Sequence, residues 1–237
     1  MKPLFILLSA TAFTAIMGCT SNAHHFDAAQ SILVDVTDSM TTALPTTDEL
    51  STSLGLNVHP YESVRVDIAT ISDKDVTSTQ TFVLDGESAL ASNGIVRNER
   101  VYAFISKVAL YLTTLQTTTT KKHSIVYRQL VNSLNELANA DAGTKSMLVY
   151  SNLYENADIN FYDPEIRQAI KLNPQRVQMQ LDATAKMGDL TGITISLLYN
   201  SSSYEDNNTF MPIAGFYKQL LEAHGASVRI QNKLSVP

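Results

Sequence analysis

Ser31-Ile32-Leu33-Val34-Asp35-Val36-Thr37-Asp38-Ser39 decides how the rest of the chain reads. Its first half is a short, continuous apolar run stopped by a carboxylate. A strand covered by helices on both faces has this pattern, because neither face meets water and alternation is lost. Two more runs repeat it, Ser146-Met147-Leu148-Val149-Tyr150 and Gly192-Ile193-Thr194-Ile195-Ser196-Leu197-Leu198-Tyr199, and residues 226–230 read as a last strand. Residues 64–71 alternate instead, and 79–84 repeat a strand-like pattern. These two are expected to pair antiparallel around the turn at Ser72-Asp73-Lys74-Asp75.

Helical spacing fills the gaps between these runs. Val101, Phe104, Ile105, Val108, Leu112 and Leu115 recur every three or four residues, as do Val126, Leu130, Leu134 and Leu137, so each set forms one apolar stripe. Asn93-Gly94 reads as a turn, and Gly143 as the end of the helical region. Pro164 and Pro174 stand where helices begin, with Asp163 and Asn173 as caps. A last helix is expected over 210–223, closed by Gly225. Strands alternating with helices imply right-handed crossovers. The expected fold is α/β: a doubly wound, mostly parallel central sheet with one antiparallel edge strand and helices on both faces.

The N-terminus reads differently. Met1-Lys2 is positive, and residues 4–17 are apolar apart from Ser9, Thr11 and Thr14, too short for a membrane span but suited to an export signal. The stretch ends Ile16-Met17-Gly18-Cys19, which resembles the lipobox of bacterial lipoproteins. That resemblance implies cleavage before Cys19 and a diacylglycerol on its thiol. The alternative is an ordinary secretory signal with a cysteine near the cut. Cys19 is the only cysteine in the chain, so no disulfide accounts for it, and lipidation does. The expected organisation is a signal at 1–18, a lipidated tether at 19–29 and one domain at 30–237. Thr20 after the cysteine, by the lipoprotein sorting pattern, implies the outer membrane, facing the periplasm. With 17 Lys+Arg against 23 Asp+Glu and no basic run beyond Lys121-Lys122, nucleic acid is excluded as the expected partner.

In such a sheet ligands sit beyond the carboxyl ends of the strands, where the winding reverses. The first strand delivers Asp35, Thr37 and Ser39 there, three oxygen groups on alternate residues that suit a hard divalent cation. Here the chain resembles the von Willebrand factor A family, whose metal-ion-dependent adhesion site opens with Asp-x-Ser-x-Ser after the first strand. Asp35 and Ser39 match, and Thr37 replaces one hydroxyl by another. The resemblance implies a further hydroxyl ligand before a later helix, for which Ser124 is the candidate and Thr120 the next. It also implies an aspartate after the following strand, where Val149-Tyr150-Ser151-Asn152-Leu153 carries Asn152 instead. The amide removes a charge and so weakens Mg²⁺ rather than excluding it.

Two readings stay open. In one, Asp35, Thr37, Ser39, Ser124 and Asn152 hold Mg²⁺ weakly, and the ion accepts an acidic group from an envelope protein. In the other, Asp35 and its hydroxyl neighbours cap a helix and satisfy loop amides without metal. Asp35-x-Thr37 also resembles the nucleophile loop of haloacid-dehalogenase-like phosphatases, which want a second aspartate where Thr37 stands. There is no Gly-rich phosphate loop and no Gly-x-Ser-x-Gly elbow, and the five histidines show no ligand spacing. Tyr150, Tyr154, Phe161 and Tyr162 around the Asn152 loop read as core packing or as a contact surface. The expectation is therefore a membrane-anchored, non-catalytic protein-binding module. The alternative is a metal-free structural or assembly lipoprotein of a secretion or conjugation apparatus.

Overall fold

The run that ends at Asp35 lies in a longer strand, β1 (Phe26–Asp35), at the centre of the sheet. Every side chain of β1 except Asp27 is buried. Ala29 and Leu33 enter one core, whereas Ala28, Ile32 and Val34 enter the other. Two cores, one on each face, are the physical reason that the run shows no alternation. The computed structural model describes residues 25–37, 44–73, 78–116 and 123–234. The signal segment and Cys19 lie outside the described residues. Phe26–Ala29, expected in the tether, belong to β1.

After β1 come α1 (Thr47–Ser53), β2 (Val64–Ile71), β3 (Gln80–Leu84), α2 (Gly94–Gln116) and α3 (Val126–Asn139). Then follow β4 (Ala142–Tyr150), α4 (Pro164–Leu172), α5 (Pro174–Asp182), β5 (Ile193–Leu198), α6 (Tyr204–Ala223) and β6 (Ser227–Gln231). The six strands form one sheet in the order β3-β2-β1-β4-β5-β6. All pairings are parallel except β2–β3, which is antiparallel with Val66 opposite Phe82. The expected fold class is thus observed, antiparallel edge strand included. The helices α3 to α6 cover one face, closing over Leu130, Leu134, Phe161, Val177 and Tyr217. The other face carries α1 and α2 through Leu50, Phe104, Val108 and Leu112.

Local differences from the expectation have local causes. Asn93-Gly94 is a helix start rather than a turn: the Asn93 side chain accepts the amide of Ile95 at 3.0 Å, capping α2. Gly143 lies inside β4 instead of ending a helix. A Cβ there would meet the Asp27 carbonyl at 3.0 Å, so the glycine marks a close approach of β1. The last helix begins at Tyr204, where Ser203 accepts the Asp206 amide at 3.1 Å. Its polar first turns carry no apolar stripe to announce them. Helix α1 is held by a capping box between Thr46 and Glu49, and only Leu50 within it is buried.

The chain winds outward from β1 in both directions, with β2 on one side and β4 on the other. The crevice above the carboxyl ends of β1 and β4 is therefore the switch point at which folds of this topology bind ligands.

Candidate functional site

Asp35 closes β1 at this crevice and is 3% exposed. Its Oδ1 accepts the Thr37 amide at 3.0 Å and the Thr37 hydroxyl at 2.6 Å. Its Oδ2 accepts the Ser151 hydroxyl at 2.7 Å, across from the end of β4. Thr37 Oγ1 also hydrogen-bonds Ser124 Oγ, just before α3. Ser151 Oγ in turn accepts the Leu153 amide at 2.9 Å. One network thus ties β1, β4 and the approach to α3. Of the expected residues the fold brings together Asp35, Thr37 and Ser124. Ser39 and Thr120 lie outside the described residues.

Asn152 stands beside the network. Its side-chain oxygen accepts the Tyr154 amide at 2.9 Å, forming a turn within its own loop. Ser151 was not expected as a site residue, although it lies next to Asn152. Leu153 takes φ 62°, a left-handed conformation that costs a side chain about 1 kcal/mol. Complete burial of Leu153 offsets that cost and turns the loop back over the sheet. The loop is then braced by the Asn156 amide donating to the Ser124 carbonyl at 3.0 Å.

Glu155, the residue before Asn156, fixes the loop. Helix α3 begins after Ile125, whose side chain caps nothing. Glu155 supplies the cap instead, its carboxylate accepting the Tyr127 amide at 2.8 Å and the Ala157 amide at 3.1 Å. It is fully buried, and burial pushes its carboxyl up to about 7 despite the backbone amides, which pull it down. Burial first, then the nearby Glu155 and Tyr127, raise the Tyr217 hydroxyl well above its ordinary value. Tyr127 donates its hydroxyl to Asp182 at the end of α5 and is likewise raised, by burial foremost. Tyr150, Tyr154 and Phe161 are core residues. Tyr162 is half-exposed and stacks against Tyr154 at 4.8 Å between ring centroids.

Among the described residues the oxygens around Asp35 are hard, as Mg²⁺ prefers, but they include a single carboxylate. Both of its oxygens accept hydrogen bonds, and the Asn152 oxygen accepts a loop amide. Among the described residues no three His, Cys, Asp or Glu side chains gather to hold a metal. Among the described residues these oxygens are engaged in hydrogen bonds, and one carboxylate among them favours weak over tight binding of a divalent ion. His123 and His224 bond to the backbone carbonyls of Asn156 and Leu220. Among the described residues no helix is long and apolar enough to cross a membrane.

No family model matches the sequence, and a search of curated proteins finds no match. Among solved structures the chain is similar to the conserved hypothetical protein BatB from Bacteroides thetaiotaomicron. Identity there is 12%, over 87% of this chain and 91% of that one, with a TM-score of 0.41. An aerotolerance-related membrane protein from Bacteroides fragilis NCTC 9343, with multiple mutations to serines, matches at 12% identity. That match covers 86% of this chain and 92% of the other, with a TM-score of 0.39. The human COPII-coat protein Sec24c matches at 13% identity and a TM-score of 0.39, over 90% of this chain but only 30% of its own length.

Proposed function

We propose that this chain is a non-catalytic protein-binding module of the bacterial cell envelope, von Willebrand factor A-like in fold and held to a membrane by lipid on Cys19. The observation that carries the reading is the convergence of Asp35, Thr37, Ser124 and Ser151 at the switch point between β1 and β4. Asp35 engages both carboxylate oxygens with the Thr37 and Ser151 hydroxyls and the Thr37 amide, which supports a role in holding the loops. The network holds three loops in register and presents them at one surface, which suits recognition. A tightly bound Mg²⁺ is not required for that role.

Three measurements test this reading. Calorimetric titration with Mg²⁺ is expected to show no binding tighter than about millimolar, given one carboxylate among the donors. A micromolar dissociation constant would restore the metal-dependent site. Labelled fatty acid is expected on Cys19 and absent from Cys19→Ala; label on both would remove the anchor. Capture from detergent-solubilised envelope with the wild type, Ser124→Ala and Asn152→Ala is expected to lose its specific partner in the variants. Identical capture by all three favours the alternative, a structural or assembly lipoprotein that uses another surface.

A further inference from the structure

Opposite the switch point, the amino ends of the parallel strands gather the segments that lead into them. Strand β1 enters at Phe26, level with Ala142 of β4. Val64 of β2 lies beside Ala28 and opposite Leu84, where β3 ends. The segments 54–63 and 85–93 therefore meet at this end, together with the first turn of α2. Arg97 ties them together. It is 1% exposed and donates to the carbonyls of Pro60, Glu62 at 2.8 Å and Asp85 at 2.7 Å. The Glu87 amide also donates to the Tyr61 carbonyl at 2.9 Å. One buried guanidinium thus makes two turns and a helix start into a single platform.

The platform turns apolar side chains outward. Leu90 is fully exposed, Ile95 is 73% exposed and Val58 67%, and Val96 is half-exposed beside them. A lone exposed apolar residue is ordinary, but these fall on adjoining segments at one end of the domain. The amides of Ala91 and Ser92 both donate to the Ser88 carbonyl at 3.0 Å, which folds residues 88–92 into a tight turn around Leu90. From Ser88 to Val96 the chain carries no charge. The neighbouring Glu87 carboxylate is paired, with Arg97 at 3.2 Å and Arg100 at 2.7 Å.

The chain that precedes β1 says what covers this patch. Cys19 stands six residues before His25, a span of at most about 21 Å however extended. Strand β3 lies two places from β1, about 10 Å across the sheet. The switch point is a full strand length further away, about 33 Å along β1. We infer that Val58, Leu90, Ile95 and Val96 seat on the lipid bilayer that carries the anchor and turn the switch point away from it. This inference rests on the lipid anchor of the proposed function. A small patch suffices, because the anchor already holds the domain beside the bilayer at high effective concentration. A lipid surface also asks for apolar area without a matching shape, and an uncharged run meets that demand.

The test uses the protein purified from the envelope in detergent and reconstituted into phosphatidylcholine vesicles. Lipid occupies the Cys19 thiol, so an introduced cysteine alone takes an environment-sensitive fluorophore. A label at Leu90→Cys is expected to shift to the blue under the bilayer. Brominated acyl chains are expected to quench it at least about threefold more than a label at Ala157→Cys, exposed beyond β4. Val58→Asp combined with Ile95→Asp, both at exposed positions, is expected to cut quenching at position 90 about threefold, with thermal unfolding unchanged. Mass spectrometry of the same preparation reads the anchor: an unmodified Cys19 would remove the anchor and this inference with it. With lipid present on Cys19, equal quenching at 90 and 157, or quenching indifferent to the double substitution, would overturn the seating alone. A blue shift that grows with protein density and escapes lipid quenching would replace the bilayer by a second copy of the chain.

Discussion

Asp35 is buried, and its carboxylate accepts hydrogen bonds from the Thr37 amide, the Thr37 hydroxyl and the Ser151 hydroxyl. Removing a buried acceptor strands its donors, and each stranded group costs more than the bond was worth. Asp35→Ala is therefore expected to destabilise the fold by roughly 2–4 kcal/mol. Asp35→Asn keeps one acceptor oxygen and is expected to lose about half as much. Urea denaturation of both variants checks this. A midpoint unchanged in Asp35→Ala would mean that the network contributes nothing to holding β1 against β4.

Two elements end in left-handed glycines, which gives a controlled comparison. Gly55 follows α1 at φ +73°, and a Cβ there would meet nothing within 4 Å. Gly225 follows α6 at φ +97°, and a Cβ there would meet Thr191 Oγ1 at 2.6 Å and the Thr191 amide nitrogen at 3.1 Å. Gly55→Ala is expected to cost only the backbone term, about 1 kcal/mol. Gly225→Ala adds a clash with the Thr191 hydroxyl and a tight contact with its backbone, and is expected to cost about 2–4 kcal/mol. Equal losses in thermal unfolding would show that the loop before β5 yields freely. The same scale shows what was legible in the sequence. Apolar runs announced β1, β4 and β5 because two-sided burial writes itself into composition. Helix α1 left no such trace, since Leu50 is its one buried residue. Asp35, Thr37 and Ser124 were legible because a strand end and a helix start fix where they point. Ser151 carries no such signal, because the pattern of the resembled family points to its neighbour Asn152. Glu155 was not legible at all: a loop carboxylate normally faces water, and the sequence does not say which loop caps a helix that begins after Ile125.

At the scale of the whole molecule, Glu155 links stability to pH in an unusual direction. Its folded carboxyl titrates near 7, raised by burial from an ordinary value of 4.5. Between these values the folded chain binds a proton that the unfolded chain has released. Stability contributed by the protonated form is therefore complete below about 4.5 and is lost as pH rises through about 7. The loss is of order 3 kcal/mol and is constant above that window. Asp27 acts oppositely. Its carboxyl is held below the ordinary range by the Ser63 amide and hydroxyl, each at 2.7 Å, so its contribution is present above 3.8 and fades as pH falls below it. Together they place maximum stability at mildly acidic pH. Glu155→Gln keeps an oxygen for the Tyr127 amide while removing the titration. It is expected to flatten the stability profile between about pH 5 and 8, at some cost from the amide group that then faces Ala157. Urea denaturation of wild type and variant across that range decides the matter. A wild type that gains stability from pH 5 to 7, or a variant that keeps the wild-type slope, would remove Glu155 as the group responsible. The full slope vanishing in Glu155→Gln would tie the pH response of the whole molecule to the one carboxylate that caps α3 and fixes the loop over the switch point.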